Sequence, residues 1–342
     1  MNKIDLGIVT NEPFPIGMAA TNRIISYTKE LGVSKLIKIY IAKPTEFDNV
    51  KLNKNDEGFF SNTHYKYVHG YTTWDKNKFF LTKIFIILKG YFLLFNMLKR
   101  DRPKSVIIVS NNLYLILATW FISKIVKFKF FQEKSEYPKP IQNNNNLFYS
   151  WLYNLRYKIF DGLIVMTNEL KDFFHNYQKK IFHLPMSVDF ENFDKLKKNP
   201  KIKYFAYCGG GNYSRDGVLN IIKSFIEICK INNYVNLFLI GPIKKSDIYF
   251  NSMKTLVENS KYNNRIKFLG KISSEKVPQF LKNSHCLIMA PQRDFISGGF
   301  PTKLGEYIAT GNPVICTDVS EIPVYLNKNE ITRITKKIRK IN

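Results

Sequence analysis

The chain has 342 residues, 45% of them hydrophobic, and carries 52 lysines and arginines against 27 aspartates and glutamates, a net charge of +25. This length and apolar content are enough for two cored domains and more than one ordinary α/β unit needs. The charge calls for an anionic partner. Nucleic acid is set aside, because the basic residues are scattered without zinc spacing, an RNA-binding signature or an arginine-rich tract, and an anionic membrane surface or phosphate-bearing acceptor fits better.

Met1 to Val9 reads as a first strand, since it has neither the long apolar core nor the small-residue cleavage site of a signal peptide, and a cytoplasmic protein is expected. Strand-like and helical runs then alternate in two series, the pattern of parallel sheets covered on both faces. In the first series the expected strands are Ile4–Val9, Leu36–Ala42, Ser105–Ser110, Phe128–Gln132, Gly162–Met166 and Ile181–Leu184. The expected helices are Ala19–Leu31, Lys78–Lys99, Leu113–Ile125, Phe148–Phe160 and Glu169–Phe174. Gln142 to Asn146 is a polar, low-complexity loop.

Phe79 to Leu98 is the most hydrophobic segment. Lys83, Lys89, Gly90 and Asn96 interrupt it, which argues against a membrane-spanning helix. An aromatic, basic, amphipathic helix remains, which reads either as cover for the sheet or as a face docking on one lipid leaflet. The second alternative would make the protein peripheral at the inner face of the membrane.

The second series has strands at Tyr204–Cys208, Val235–Ile240, Ile266–Leu269, His285–Met289 and Pro313–Thr317. Its helices fall at Val218–Lys230, Ile248–Asn259, Ser274–Asn283 and Thr302–Thr310. The expected organisation is a Rossmann-like domain over residues 1–186, a linker over 187–202 and a second Rossmann-like domain over 203–342. Cys208, Cys229, Cys286 and Cys316 lack metal or redox spacing and read as reduced core residues. His64, His69, His175, His183 and His285 have no ligand spacing either, so no metal cofactor is expected.

Phe295 to Ile315 is the most informative stretch. Its glycines open a short helix, and Gly311, Asn312 and Pro313 stop that helix before an apolar strand. Backbone donors near Thr302 and Lys303 lie at the positive end of the helix dipole, with Gly298 and Gly299 allowing a ligand close to the main chain. Lys303 adds a cation, and Glu306, one turn on, suits a ribose diol. The residues by themselves describe a site for a nucleotide diphosphate.

The same stretch resembles the signature Gly-Phe-Pro-Thr-Lys-x-x-Glu-Tyr-x-Ala-x-Gly-x-Pro-Val-Ile of the retaining glycosyltransferases of family four, within glycosyl transferases group 1, which carry the GT-B fold. Pro185 to Phe193 is similar to that family's hinge, Pro-x-x-Val-Asp-x-x-x-Phe. The resemblance implies two Rossmann-like domains with parallel sheets facing across a cleft, the acceptor on the first and a nucleotide-diphosphate sugar on the second. It also implies charge neutralisation by cations and helix ends, with no metal or other cofactor. On this resemblance Gly298 to Lys303, Phe300 and Pro301 included, and Glu306 hold the donor. The loop Gly209-Gly210-Gly211 with Arg215 meets its phosphates, and Gly241, Lys271 and Ile272 lie near its base.

The chain departs from the pattern in three places. The first of two glutamates that many members carry falls on Gly298, its role vacant or moved to Asp294. In the Gly-Arg-x-x-x-x-Lys-Gly loop, Gly210 takes the arginine position and Arg215 the lysine position; Arg293 or Lys303 is left to supply the missing cation. Where many members place a histidine near the transferred sugar, this chain has Glu133 and Glu136, each read either as orienting acceptor or sugar hydroxyls or as ion-paired to Lys134 or another lysine. Gly17 would let phosphate or sugar approach the backbone after the first strand, and Arg23 reads either as part of that site or as an internal helix charge.

The expected function is transfer of a hexosyl or N-acetylhexosaminyl group to a glycan or lipid-linked acceptor in assembly of a surface polysaccharide such as capsule, O-antigen, lipopolysaccharide or exopolysaccharide. The alternative is a shortened homologue that binds nucleotide or membrane without turnover. It rests on Lys328 to Asn342, which reads as a basic tail where the family ordinarily continues through another strand and further helices.

Overall fold

The computed structural model describes residues 3–47, 53–75, 77–138, 154–210, 213–243, 246–273, 275–292 and 298–326. The chain divides into two compact units, Met1–Ser187 and Val188–Asn342. The expected loop at Gln142–Asn146, the first part of the helix expected at Phe148–Phe160 and the basic tail lie outside the described residues. So do Gly211, Arg293 and Asp294.

The strands of the first unit, in chain order, are β1 (Leu6–Thr10), β2 (Ile37–Ile41), β3 (Thr45–Phe47), β4 (Glu57–Phe60), β5 (Thr63–Tyr67), β6 (Thr73–Asp75), β7 (Ser105–Val109), β8 (Lys129–Lys134), β9 (Gly162–Val165) and β10 (Ile181–His183). Its helices are α1 (Ala19–Leu31), α2 (Phe80–Asp101), α3 (Leu113–Val126) and α4 (Asn168–His175). Eight strands form one sheet in the order β10-β9-β8-β7-β1-β2-β5-β4. All pairs in it are parallel except β4 with β5, and β3 pairs with β6 in a separate ribbon.

β4 and β5 were not expected. Their alternating exposure marks an edge with one face in solvent, so they lack the continuous apolar run by which buried parallel strands are read. Ser61, at φ +50°, forms with Asn62 the short turn between them. Leu155–Ile159 is a short 3-10 helix inside the range expected as helical.

α1 has the expected bounds, and its buried side carries Ile24, Ile25 and also Arg23. The Arg23 guanidinium forms a buried ion pair with Glu133 on β8, and donates to the carbonyls of Pro185 (2.9 Å) and Leu184 (2.8 Å). Tyr27 donates its hydroxyl to the other Glu133 oxygen at 3.1 Å. Arg23 is thus an internal charge joining α1, β8 and the segment leaving β10. Glu133 is corrected accordingly: β8 runs to Lys134, which places Glu133 inside the sheet, where its carboxylate is committed to Arg23 and Tyr27 and is not offered to a sugar hydroxyl.

Gly17 is required by local packing. A Cβ there would collide with the Thr21 hydroxyl and come within 2.6 Å of the Pro13 carbonyl, which Thr21 already engages at 2.8 Å. The chain's own helix entry therefore needs a glycine at this position.

The second unit has α5 (Glu191–Asp194), β11 (Tyr204–Cys208), α6 (Val218–Cys229), β12 (Asn236–Ile240), α7 (Ile248–Glu258), β13 (Ile266–Gly270), α8 (Val277–Asn283), β14 (Cys286–Met289), α9 (Thr302–Ala309), β15 (Val314–Cys316) and α10 (Ile322–Tyr325). Its sheet is wholly parallel in the order β13-β12-β11-β14-β15. Ile221, Ile222 and Phe225 of α6 and Met253 of α7 pack with Leu237, Leu239 and Ile288 in one core. The expected linker over 187–202 contains α5, whose Phe193 is buried. All four cysteines are free, three of them buried.

Removing one partner of a buried ion pair leaves the other charge unpaired, at a cost of about 3–5 kcal/mol. Arg23→Met is therefore expected to lower stability by about that amount, while Arg23→Met with Glu133→Leu recovers most of the loss. Urea unfolding of the two variants measures both values.

Candidate active site

All five strands of the second unit run in one direction, so the segments following them leave from a single edge of the sheet. β11 continues into Gly209, whose N–H donates to the Ile240 carbonyl at 2.9 Å, and β12 into Gly241, whose N–H donates to the Gly270 carbonyl at 3.0 Å. A Cβ on Gly209 would strike the Tyr207 hydroxyl, and one on Gly241 would lie 2.7 Å from the Gly209 carbonyl. These two turns therefore pack against each other, next to Gly210. Tyr213 donates to the Pro242 carbonyl at 3.0 Å and fastens the first turn to the second.

The turn before α6 is held as tightly. Gly217 has φ +64°, and a Cβ there would overlap the Ala290 carbonyl, so a side chain is excluded twice over. The Arg215 carbonyl accepts from the Gln292 N–H at 3.2 Å, joining this turn to the end of β14. Gly217 gives α6 no side-chain cap, and Pro301 gives α9 none. In α6 the Val218 N–H donates to the Tyr213 carbonyl at 3.1 Å, and the positive dipole ends of both helices remain suited to an anion.

Asp216 connects the parts. Its carboxylate accepts from the Tyr207 hydroxyl and forms an ion pair with Lys303, whose ammonium also lies 5.3 Å from the Tyr207 ring centre. Lys303 was expected to act as a cation next to phosphate. The structure corrects its surroundings: the ammonium is already held by Asp216, 87 residues away in sequence, so its position is fixed and part of its charge is balanced. Asp216 itself was passed over. The only signal for it was its place beside Arg215 in the glycine loop.

One turn into α9, Tyr307 is fully buried; its hydroxyl accepts from the Cys208 N–H at 2.8 Å and donates to the Cys208 carbonyl at 3.3 Å. Burial pushes the Cys208 thiol up to about 12, and the Glu306 carboxylate adds to the shift. Gly298 has φ +64°, the left-handed region a glycine tolerates. Ser320 donates to the Gly299 carbonyl at 2.7 Å, and Phe300 is buried edge-on against Tyr325 at 5.2 Å. Gly209, Gly210, Gly241, Arg215, Thr302, Lys303 and Glu306 are thus gathered at one sheet edge. Lys271 and Ile272 follow β13 on the same edge, Lys271 exposed and Ile272 half-buried.

In the first unit Glu136 lies past the end of β8 and is half-buried. Lys134 is paired with neither glutamate by hydrogen bond; it donates to the Asn111 side chain at 2.6 Å. Burial, reinforced by Arg156 and opposed by Glu136, lowers its ammonium to about 7. Glu12, just beyond β1, has its carboxyl raised by burial and was also passed over. Its signal was its place at the carboxyl end of the first strand.

Residues 188–339 match the family described as glycosyl transferases group 1. No curated protein matches the chain in sequence. Among solved structures, sucrose-phosphate synthase from Thermosynechococcus elongatus is similar at a TM-score of 0.65 and 12% identity, covering 95% of this chain and 84% of that one. A glycosyltransferase from Rickettsia africae gives 0.63 and 16%, covering 100% and 88%. A lipopolysaccharide outer core galactosyltransferase gives 0.57 and 14%, covering 99% and 89%. The fold is that of the GT-B glycosyltransferases, with two Rossmann-like units built on parallel sheets.

Burial raises Cys208 and Cys286 to about 12 and Cys316 to about 11, against an ordinary 9.0. The unfolded chain releases these protons near pH 9 while the folded chain keeps them. Their contribution is therefore full below pH 9 and falls as pH rises towards 11–12. The urea midpoint is expected to decline over this window, and less steeply in Cys286→Ala than in the parent chain.

Proposed function

We propose that the chain is a retaining glycosyltransferase that takes a hexosyl or N-acetylhexosaminyl group from a nucleotide-diphosphate sugar and places it on a glycan or lipid-linked acceptor. The observation that carries this reading is the edge of the second unit's sheet, to which two helix starts without side-chain caps, Lys303, and the segments bearing Arg215 and Glu306 are brought. The match of residues 188–339 to glycosyl transferases group 1 supports it. So does a fold shared with a trehalose-6-phosphate protein from E. coli that was bound with UDP-2-fluoro glucose, similar at a TM-score of 0.60 and 12% identity over 99% of this chain and 92% of that one.

In this reading the donor diphosphate lies against the starts of α6 and α9, where N–H groups and dipoles oppose its charge. Arg215 offers a planar fork to phosphate oxygens, and Lys303, steadied by Asp216, adds a point charge. Glu306 accepts from the ribose hydroxyls. The bond from the anomeric carbon to the diphosphate breaks, and the acceptor oxygen bonds to that carbon on the same face. The acceptor proton passes to the departing diphosphate oxygen, so this chain's residues neutralise and orient without a metal. Glu136 and Glu12, at strand ends of the first unit, are the carboxylates proposed to position the acceptor. The galactosyltransferase of the lipopolysaccharide outer core supports surface polysaccharide assembly as the setting.

A panel of UDP, GDP, ADP and their sugars tests the donor site, because a ligand that binds only the folded state raises the melting temperature. One nucleotide class is expected to do so. Glu306→Gln should keep the fold and weaken that nucleotide by roughly 1.5–3 kcal/mol, the value of a charge-assisted hydrogen bond. Lys303→Ala should weaken the diphosphate more than the nucleoside. No stabilisation by any of the panel, or equal losses for nucleoside and diphosphate, would count against the site.

A further inference from the structure

Residues 76–132 contain eleven lysines and arginines and one carboxylate, Asp101. Asp101 is taken up within the fold, by Lys38 at 2.7 Å, Tyr40 at 2.9 Å and Arg100 at 2.9 Å. These bonds hold the end of α2 against β2. Along α2, Gly90, Leu94 and Leu98 are buried, and a Cβ on Gly90 would meet His69 and lie 3.1 Å from the Ala42 carbonyl. The helix is therefore seated closely on the chain beyond β2, and its rotation is fixed.

That rotation turns a large apolar surface outwards. Leu81, Phe85, Leu88 and Phe92 follow one another at helical spacing on the outer side, with Phe85, Leu88 and Phe92 exposed by 67, 59 and 64%. α3 packs beside α2, and Tyr114 on α3 comes near enough to Tyr91 on α2 to add to the rise that burial causes in the Tyr91 phenol. Tyr114, Leu117, Phe121 and Ile125 form a second outward stripe, with Tyr114 and Phe121 exposed by 73 and 62%. Phe79 and Phe80 extend the surface at the tip of α2. A contiguous apolar surface of this kind is uncommon on a protein that meets only water.

The charge around the surface selects its occupant. Lys78, Lys89, Lys124 and Lys127 are exposed, Lys83 is half-buried, and no carboxylate lies on α3 or on α2 before Asp101. A second copy brought face to face would set lysine against lysine, whereas anionic headgroups complement them. α2 has 22 residues, long enough to cross a bilayer, but Lys83 and Lys89 lie within it and Gly90, Leu94 and Leu98 are buried in the fold.

We propose that α2 and α3 together form a docking face that seats the first unit on an anionic lipid leaflet, with the aromatic and leucine side chains at the acyl boundary and the lysines among the headgroups. The face does not rest on the sugar-transfer reading.

The test is co-sedimentation of the full chain, without nucleotide, with vesicles of phosphatidylcholine containing about one third phosphatidylglycerol, against phosphatidylcholine alone. Binding is expected to the anionic vesicles and to fall as salt rises. Phe85→Ser with Phe121→Ser should reduce it roughly tenfold or more, because membrane affinity scales with the apolar area buried. Lys89→Glu with Lys124→Glu should reduce it as well and flatten its salt dependence. All four side chains are exposed, and an unchanged melting temperature verifies the fold of each variant.

Equal binding to both vesicle types regardless of salt would overturn the proposal, as would variants that bind like the parent. Self-association in lipid-free buffer that the Phe85→Ser, Phe121→Ser pair abolishes would assign the face to a second copy instead. Resistance to alkaline carbonate extraction would make α2 a spanning helix. Because no donor is present, failure here leaves the donor-site measurements standing.

Discussion

Parallel strand pairing is the constraint on which the rest of this molecule depends. A parallel strand cannot be joined to its neighbour by a tight turn, so the chain crosses back over the sheet each time and leaves every strand at the same edge. In the second unit this carries Gly209, Gly241, Lys271, residues 290–292 after β14 and the segment after β15 to one edge. Residues as far apart as Asp216 and Lys303 meet there because β11 and β14 are sheet neighbours and α9 follows β14. The two glycine turns are packed against each other and the α6 turn against Ala290, so the edge is a built backbone surface.

The distribution of charge follows from what those sheets bury. Glu133 and Asp101 have buried side chains tied to Arg23 and Lys38, and the half-buried Asp216 is tied to Lys303. A buried ion pair of this kind fixes which elements lie together more than it adds net stability, since desolvation offsets much of its attraction. With acids few and several engaged internally, much of the remaining positive charge lies on outer surfaces, including the helices α2 and α3. A net charge of +25 that looks diffuse in the sequence thus becomes, on one face of the first unit, a basic rim around an apolar surface.

Much of the fold was legible because its signals are local. α1 begins and ends where its apolar periodicity does, and α9 lies between a proline-bearing entry and a Gly311-Asn312-Pro313 exit. Buried parallel strands announce themselves as short apolar runs, and β2, buried along its length, was found that way. β4 and β5 were missed because a strand with one wetted face alternates polar with apolar residues, as β5, next to the edge strand β4, alternates His64 and Lys66 with Thr63, Tyr65 and Tyr67. β8 ran two residues past its expected end, and that extension alone changed Glu133 from a loop carboxylate into a sheet residue.

The sequence by itself determined the two-sheet α/β order, the helix that starts at Thr302, and the residue types able to hold a diphosphate, because propensity, capping and punctuation act within a few residues. Only the tertiary structure decided which charge each cation answers. Arg23 meets Glu133 110 residues away and Lys303 meets Asp216 87 residues away, and no local period encodes such pairings. It also decided which side of α2 faces outward, through the close seat at Gly90 and the bonds to Asp101. The physical reason is common to both. A side chain's partner is set by which elements the sheet brings within a few ångströms, and parallel crossovers make those elements distant in the chain.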